Sequence, residues 1–207
     1  SEAFPIVTLD LSMDRAGALK LAADLTAKYQ WGPKDYSPAA SFDLDSEVQN
    51  YVELEVGGSR AFKELLKGGF YSPYLWRVRH FKEGDPNETV IRFTPDGRPY
   101  GFRERLAEDA HGASLSPEEA RIIAEKAATE QWQILFNQYV AVETSQEERP
   151  GGRRDHTFVY ERPNQKIGEG LYRLRLVVGG DRLTELTHFI KIPEAFERRY
   201  EEMRSAN

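Results

Sequence analysis

The residues best equipped for chemistry lie in one polar loop of the second half of the chain. Residues 147–156 hold three arginines, one histidine and three carboxylates. Arginine forks bind carboxylate and phosphate groups through paired hydrogen bonds. Arg153, Arg154 and His156 are therefore candidate ligand-binding residues. The alternative is a solvated hairpin loop whose charges form local ion pairs.

A second candidate site is the aromatic segment 70–76, which holds four aromatic side chains in seven residues. These side chains cannot all point into one small core. We therefore name Tyr74 and Trp76 as candidates for lining a groove that binds a peptide or another domain. The alternative is that they pack in the core or between modules.

No pattern in the sequence indicates catalysis or metal binding. The four histidines, at positions 80, 111, 156 and 188, show no helical ligand spacing, and cysteine is absent. A metal site would have to be assembled from distant residues. No nucleophile elbow, phosphate loop or dinucleotide fingerprint occurs. We predict no catalytic residue, no metal, no cofactor and no enzymatic activity for this chain.

Composition narrows the class of protein. The 207 residues include 28 lysines and arginines against 34 aspartates and glutamates, a formal charge of −6, with 40% hydrophobic residues. These values are typical of a folded soluble protein, and the interleaved charges argue against a nucleic-acid partner. No apolar run reaches the roughly 20 residues of a membrane helix. Because the chain starts at Ser1 without a signal peptide, we expect a piece of a longer product.

Two helices with clear start signals position these candidates. Asp14 is a predicted N-cap of the first, and Ser116 with Glu119 forms a capping box for the second. The apolar residues of the two helices occur at the same spacing after each N-cap, and the two N-caps are 102 residues apart (116 − 14). Each helix is followed by a tryptophan, Trp31 or Trp132, one residue out of register.

Alternating or apolar segments predict about four strands after each helix. The predicted strands are residues 48–56, 74–82, 89–94, 98–103, 136–144, 156–161, 171–178 and 182–192. A short helix is expected between the first two of them, and a charged connector helix at 194–204. The sequence thus predicts an α+β fold of two tandem helix-plus-antiparallel-sheet modules, at residues 1–110 and 111–207.

The start of the second predicted module resembles a known family. The segment Ser116-Pro117-Glu118-Glu119-Ala120-Arg121-Ile122-Ile123-Ala124, followed by a sheet, is similar to the opening helix of PepSY-type modules. These are extracytoplasmic helix-plus-sheet units of protease propeptides and membrane-anchored regulators. The resemblance implies PepSY/cystatin-like modules in which a helix packs on about four strands. The helix after Asp14 fits the pattern less closely, because Gly17 replaces the acidic residue.

The C-terminal third resembles the region that precedes the membrane part of bacterial CAAX-type intramembrane metalloproteases of the CPBP family. The matching segments are residues 154–162, 172–176 and 191–196. The resemblance implies an extracytoplasmic domain, on the periplasmic or cell-surface side, tethered to a membrane peptidase. The family's E-E-x-x-x-R motif has no counterpart, since Glu148 is followed by Arg149-Pro150 and Glu202 by Met203-Arg204. No catalytic residue can therefore be transferred.

Three hypotheses of function follow. The first is a non-catalytic accessory, sensing or regulatory domain of a membrane-bound protease, whose partner is a peptide, a protein or the membrane part of the same polypeptide. The second is a free-standing periplasmic or surface binding protein. The third is a hydrolase with a site at the arginine-rich loop, which predicts that Arg153→Ala or His156→Ala abolishes turnover without unfolding the protein.

Overall fold

A computed structural model describes residues 10–206 of the chain. Within this range, a long helix followed by four strands occurs twice along the sequence. The helices and strands are, in chain order, α1 (Arg15–Tyr29), β1 (Ser37–Leu44), α2 (Ser46–Tyr51), α3 (Gly58–Gly68), β2 (Tyr74–Phe81), β3 (Glu88–Phe93), β4 (Pro99–Arg105), α4 (Pro117–Trp132), β5 (Val140–Glu148), β6 (Arg154–Ile167), β7 (Gly170–Gly179), β8 (Arg182–Lys191) and α5 (Glu194–Ser205). A π-helical segment, Val52–Gly57, joins α2 to α3, and a 3₁₀ turn, Phe136–Gln138, precedes β5.

All eight strands form one antiparallel sheet in the order β1-β2-β3-β4-β8-β7-β6-β5. The prediction of two tandem modules, each with its own sheet, is therefore wrong. β4 and β8 pair directly, with Phe102 opposite Leu186 and Arg103 opposite Glu185. This pairing removes the two unpaired edges that separate four-stranded sheets would expose at this point. The division expected at residue 110 lies in the connector between β4 and α4.

The main core lies between one face of this sheet and helices α1 and α4. α1 contacts β1 and β2, whereas α4 contacts β4, β6, β7 and β8. Three aromatic rings stack at its centre: Phe102 lies 4.4 Å from Trp31 and 5.2 Å from Trp132, measured between ring centroids. Trp31, which follows α1, and Trp132, the last residue of α4, thus both contact one residue of β4.

A second cluster of buried residues covers the same face at the other end of the strands. α2, α3 and α5 pack there against Tyr172 and Ile190. Tyr51 of α2 contacts Phe196 of α5 at 5.3 Å between ring centroids. The C-terminal helix is therefore held on the sheet through its one buried residue, Phe196.

The strand predicted at residues 48–56 is helical in the structure. The Asp45 side chain accepts a hydrogen bond from Val48 N, which caps α2. Val48, Tyr51 and Val52 are all buried, at the spacing of one helical face. The apolar residues of this short segment fit the periodicity of a strand as well as that of a helix. The Asp45 cap and the tertiary contacts stabilise the helix. The strand that pairs with β2 is instead β1, which the sequence analysis did not predict.

Both predicted helix starts are confirmed. The Asp14 carboxylate accepts from Gly17 N at the start of α1, and Ser116 with Glu119 forms the capping box of α4. Both helices end in a glutamine with left-handed backbone, Gln30 and Gln133. The local signals at the ends of the two helices therefore survive in the tertiary structure.

Candidate functional site

The arginine-rich loop forms a clamp at one end of the sheet. The Arg153 side chain is 3% exposed and donates hydrogen bonds to Ala107 O (3.0 Å) and Ala110 O (2.8 Å). It also donates to Asp155 Oδ1 at 2.9 Å. Through these hydrogen bonds, the Arg153 guanidinium holds the connector between β4 and α4 in place. A ligand at this position would have to displace them.

Asp155 is the acceptor at the centre of this clamp. Burial alone would raise the pKa of Asp155, but hydrogen bonds from Arg153 and Arg149 outweigh burial and hold the pKa below its usual range. Arg149 Nε lies 2.7 Å from Asp155 Oδ2. The carboxylate is therefore ionised and doubly paired, as expected of a structural ion-pair network.

Arg154 and His156 hold the same connector. Arg154 Nη1 donates to Leu115 O at 2.9 Å and its Nε pairs with Glu148. His156 is fully buried, with Nε2 at 2.8 Å from Leu115 O. The structure thus brings Arg153, Arg154 and His156 together around residues 107–115. Their proposed ligand-binding role stays a prediction.

Tyr74 and Trp76 lie on β2, the second strand from the opposite edge of the sheet. Trp76 Nε1 donates to Met13 O at 3.1 Å, and the Tyr74 ring stacks on Phe42 of β1 at 5.8 Å. Both side chains are half-buried on the helix-covered face. The structure does not bring these two aromatic candidates together with Arg153, Arg154 and His156.

The opposite face of the sheet carries a set of arginines that the sequence analysis missed. No helix among residues 10–206 packs on this open face, and seven arginines alternate out of its central strands: Arg77, Arg79, Arg92, Arg103, Arg105, Arg173 and Arg175. Two Arg-x-Arg repeats within predicted strands, at 77–79 and 173–175, and a third that extends past the predicted strand 98–103 were the available signal, because alternate residues share one face.

Four of these arginines have carboxylate partners. Arg79 pairs with Glu88, and Arg173 pairs with Glu161 at 3.1 Å. Arg103 and Arg175 share the buried Glu185, at 3.5 Å and 3.8 Å. The side chains of Arg77, Arg92 and Arg105 form no hydrogen bond and no direct ion pair with any described residue. Positive charge thus accumulates on strands β2, β3 and β4.

A pocket of about 350 Å³ opens beside two of the unpaired arginines, Arg77 and Arg92. Arg92 is opposite Gly101 in the β3–β4 register, so no side chain fills the space next to it. A Cβ on Gly101 would lie 2.5 Å from Leu186 O, so the close approach of β4 to β8 requires glycine. Thr187 and Phe189 of β8 line the far side of the pocket.

Tyr71, Tyr100 and His188 also line this pocket, and strand alternation places the Tyr100 and His188 side chains on the helix-covered face of the sheet. Tyr100 stacks on His188 at 4.6 Å, and Tyr172 Oη lies 2.7 Å from His188 Nδ1. Burial, with a smaller effect from Arg162, lowers the pKa of His188 from 6.5 to about 4. Burial and the hydrogen-bonded Asp45 raise the pKa of Tyr71. His188 and Tyr71 are therefore uncharged around pH 7.

His80 gives a testable pH dependence. It is fully buried on the helix-covered face, with Nδ1 at 3.0 Å from Thr26 Oγ1, and burial lowers its pKa from 6.5 to about 4. The unfolded chain binds this proton below about pH 6.5. We therefore expect the free energy of unfolding to fall as pH drops from 6.5 to 4. Urea denaturation at several pH values measures this decrease.

His80→Gln should make that decrease shallower, because one of the titrating groups is gone. His111→Gln, at an exposed histidine, is the matched control and should leave the pH dependence unchanged. An identical decrease in the wild type and in His80→Gln would contradict the assignment.

Residues 10–206 contain no group of three or more histidine, aspartate or glutamate side chains placed to hold a metal ion. Over the same residues, no helix combines the length and the apolar character needed to cross a membrane.

Comparison with protein-family models, with curated proteins and with solved structures gives no match. The resemblances to PepSY-type modules and to the CPBP family therefore stay predictions.

Proposed function

We propose that this chain is a non-catalytic binding domain that receives a peptide or protein partner on the open face of its sheet. The observation that carries the proposal is the uncovered face with seven arginines, three of which form no direct ion pair with a described carboxylate. An uncovered, charged sheet face next to a pocket is the kind of surface that proteins use for recognition.

The charge of this face indicates the chemistry of the partner. On strands β1 to β4 it carries five arginines against two carboxylates, Asp43 and Glu88. The chain as a whole has a formal charge of −6. A positive patch on a protein of negative net charge attracts the acidic groups of a partner. We therefore propose a partner that presents carboxylates.

The accessory-domain hypothesis gives this binding a context. In the leading version the domain is extracytoplasmic and serves a membrane-bound protease, with a peptide, a protein or the membrane part of the same polypeptide as partner. A hydrolase at the arginine-rich loop is less well supported. His156 is fully buried and Arg153 is bound to backbone carbonyls, so a substrate could reach neither without rearrangement.

Peptide selection tests the proposal. We expect the immobilised 207-residue chain to enrich acidic peptides from a displayed random library, and titration calorimetry to give saturable binding. Arg105→Glu, which reverses an exposed and unpaired charge on β4, should weaken that binding about tenfold or more, and 1 M salt should weaken it too. Lys20→Glu on the exposed side of α1 is the control and should bind as the wild type does.

Failure to enrich any saturable ligand would overturn the proposal. So would peptides whose affinity changes neither with Arg105→Glu nor with salt.

A further inference from the structure

Arg77 and Arg92 form a like-charged pair whose guanidinium groups make no direct ion pair with any described residue, and the carboxylates of Glu185 and Asp43 act on Arg92 only from a longer distance. They lie directly opposite each other on β2 and β3. Like charges opposite each other destabilise an antiparallel pair. Burial lowers the pKa of Arg92, and the neighbouring Arg77 lowers it further. An anion between the two guanidinium groups would remove this repulsion.

The space for such an anion is present. Arg77 and Arg92 line the pocket of about 350 Å³ beside Gly101, together with apolar side chains of Leu75 and Phe189. This volume is near the lower end of ligand pockets, which span about 300–1,000 Å³. The pocket therefore suits one or two residues of a peptide rather than a long segment.

We propose that this pocket binds the free C-terminal carboxylate of a peptide partner, an inference that rests on the proposed function. Arg77 and Arg92 donate hydrogen bonds to the carboxylate, and Leu75 and Phe189 contact an apolar side chain of the terminal residue. Two guanidinium groups match the two oxygens of a carboxylate through paired, charge-assisted hydrogen bonds. The apolar contact then distinguishes a terminal residue from a bare anion.

The other charged side chains of the pocket favour a ligand with a single negative charge. Asp43 and Asp45 also line it. Asp45 is held by the Tyr71 hydroxyl at 2.6 Å and caps α2 through Val48 N. Two carboxylates near the site repel a phosphate dianion more than a carboxylate monoanion. The same repulsion disfavours a segment with several acidic side chains inside the pocket.

NMR titration of the arginine Nε–Hε signals tests this site with defined probes. The probes are N-acetyl-alanyl-leucine with a free carboxylate, the same dipeptide as its C-terminal amide, N-acetyl-alanyl-glutamate amide, whose only carboxylate is on the side chain, and inorganic phosphate. We expect the free acid to shift the Arg77 and Arg92 signals saturably, and the leucine amide to shift neither.

Substitutions locate the binding. Arg77→Met and Arg92→Met should each weaken binding of the free dipeptide about tenfold or more, because each removes charge-assisted hydrogen bonds. Arg98→Met is the control, since Arg98 lies in the β3–β4 turn and is not among the residues that line this pocket, so the variant should bind as the wild type does. If a methionine variant does not fold, Arg92→Lys keeps the charge without the fork and should still weaken binding.

Four results would overturn the inference. They are equal shifts with the leucine acid and its amide, tighter binding of phosphate than of the free dipeptide, equal or tighter binding of the glutamate amide, and unchanged affinity in both methionine variants. Any of them can occur while library peptides still bind in an Arg105-dependent way. The failure of this site is thus distinguishable from the failure of the proposed function.

Discussion

Replacing Phe102 with alanine is expected to lower the free energy of unfolding by about 3–5 kcal/mol, the range measured for large aromatic side chains removed from protein cores. Phe102 is 1% exposed and its ring contacts the rings of both Trp31 and Trp132. The cavity would open where α1, α4 and the β4–β8 pairing meet. Urea denaturation followed by tryptophan fluorescence measures the loss, because two indoles contact the substituted side chain.

Phe42→Ala on the edge strand β1 is the matched control. Its ring is 38% exposed, so the loss should be well below that for Phe102→Ala. Both variants and the wild type should unfold in one transition, since residues of both half-chains share one core. Two separated transitions, or equal losses in the two variants, would contradict this account of the core.

Arg153→Ala is expected to cost about 3–5 kcal/mol of unfolding free energy, because it breaks the buried Arg153–Asp155 ion pair and leaves Asp155 with Arg149 alone. The substitution removes the donors to Ala107 O and Ala110 O as well as a partner of Asp155. Thermal and urea unfolding measure the effect. Arg153→Lys should recover only part of the stability, because a lysine lacks the planar fork that reaches three acceptors.

Arg154→Ala is the control for this clamp. Its partner Glu148 is 57% exposed, and exposed ion pairs contribute about 0–1 kcal/mol, so a smaller loss is expected. Arg153→Ala combined with Asp155→Ala should cost less than the two single losses added, since the residues act as a pair. Full stability in Arg153→Ala would instead favour the ligand-binding role predicted for this arginine.

The parts of the fold that could be predicted from the sequence rest on contacts between near neighbours in the chain. The Asp14 cap and the Ser116 capping box are satisfied within one helical turn. The predicted turn at 95–97 joins β3 to β4, and Thr94 N bonds to Arg98 O across it. Period-two alternation placed β2, β3, β4, β7 and β8 close to their observed bounds.

The prediction failed where distant segments decide. Residues 48–56 fit both a strand and a helix, and packing against Tyr172 and Phe196 selects the helix. The pairing of β4 with β8 joins residues more than 80 positions apart, through only two register pairs. Neither strand carries a local mark of its partner, so the sequence alone was compatible with two separate sheets.

The candidate site shows the same division. Alternation by itself put arginines on one strand face, as in Arg77 with Arg79 and Arg173 with Arg175. Only the tertiary structure decided which of them are neutralised, because Glu185 reaches Arg103 and Arg175 from a neighbouring strand while Arg77 faces Arg92. Side-chain periodicity is a property of one strand, whereas strand order and register arise from burying both halves of the chain in one core.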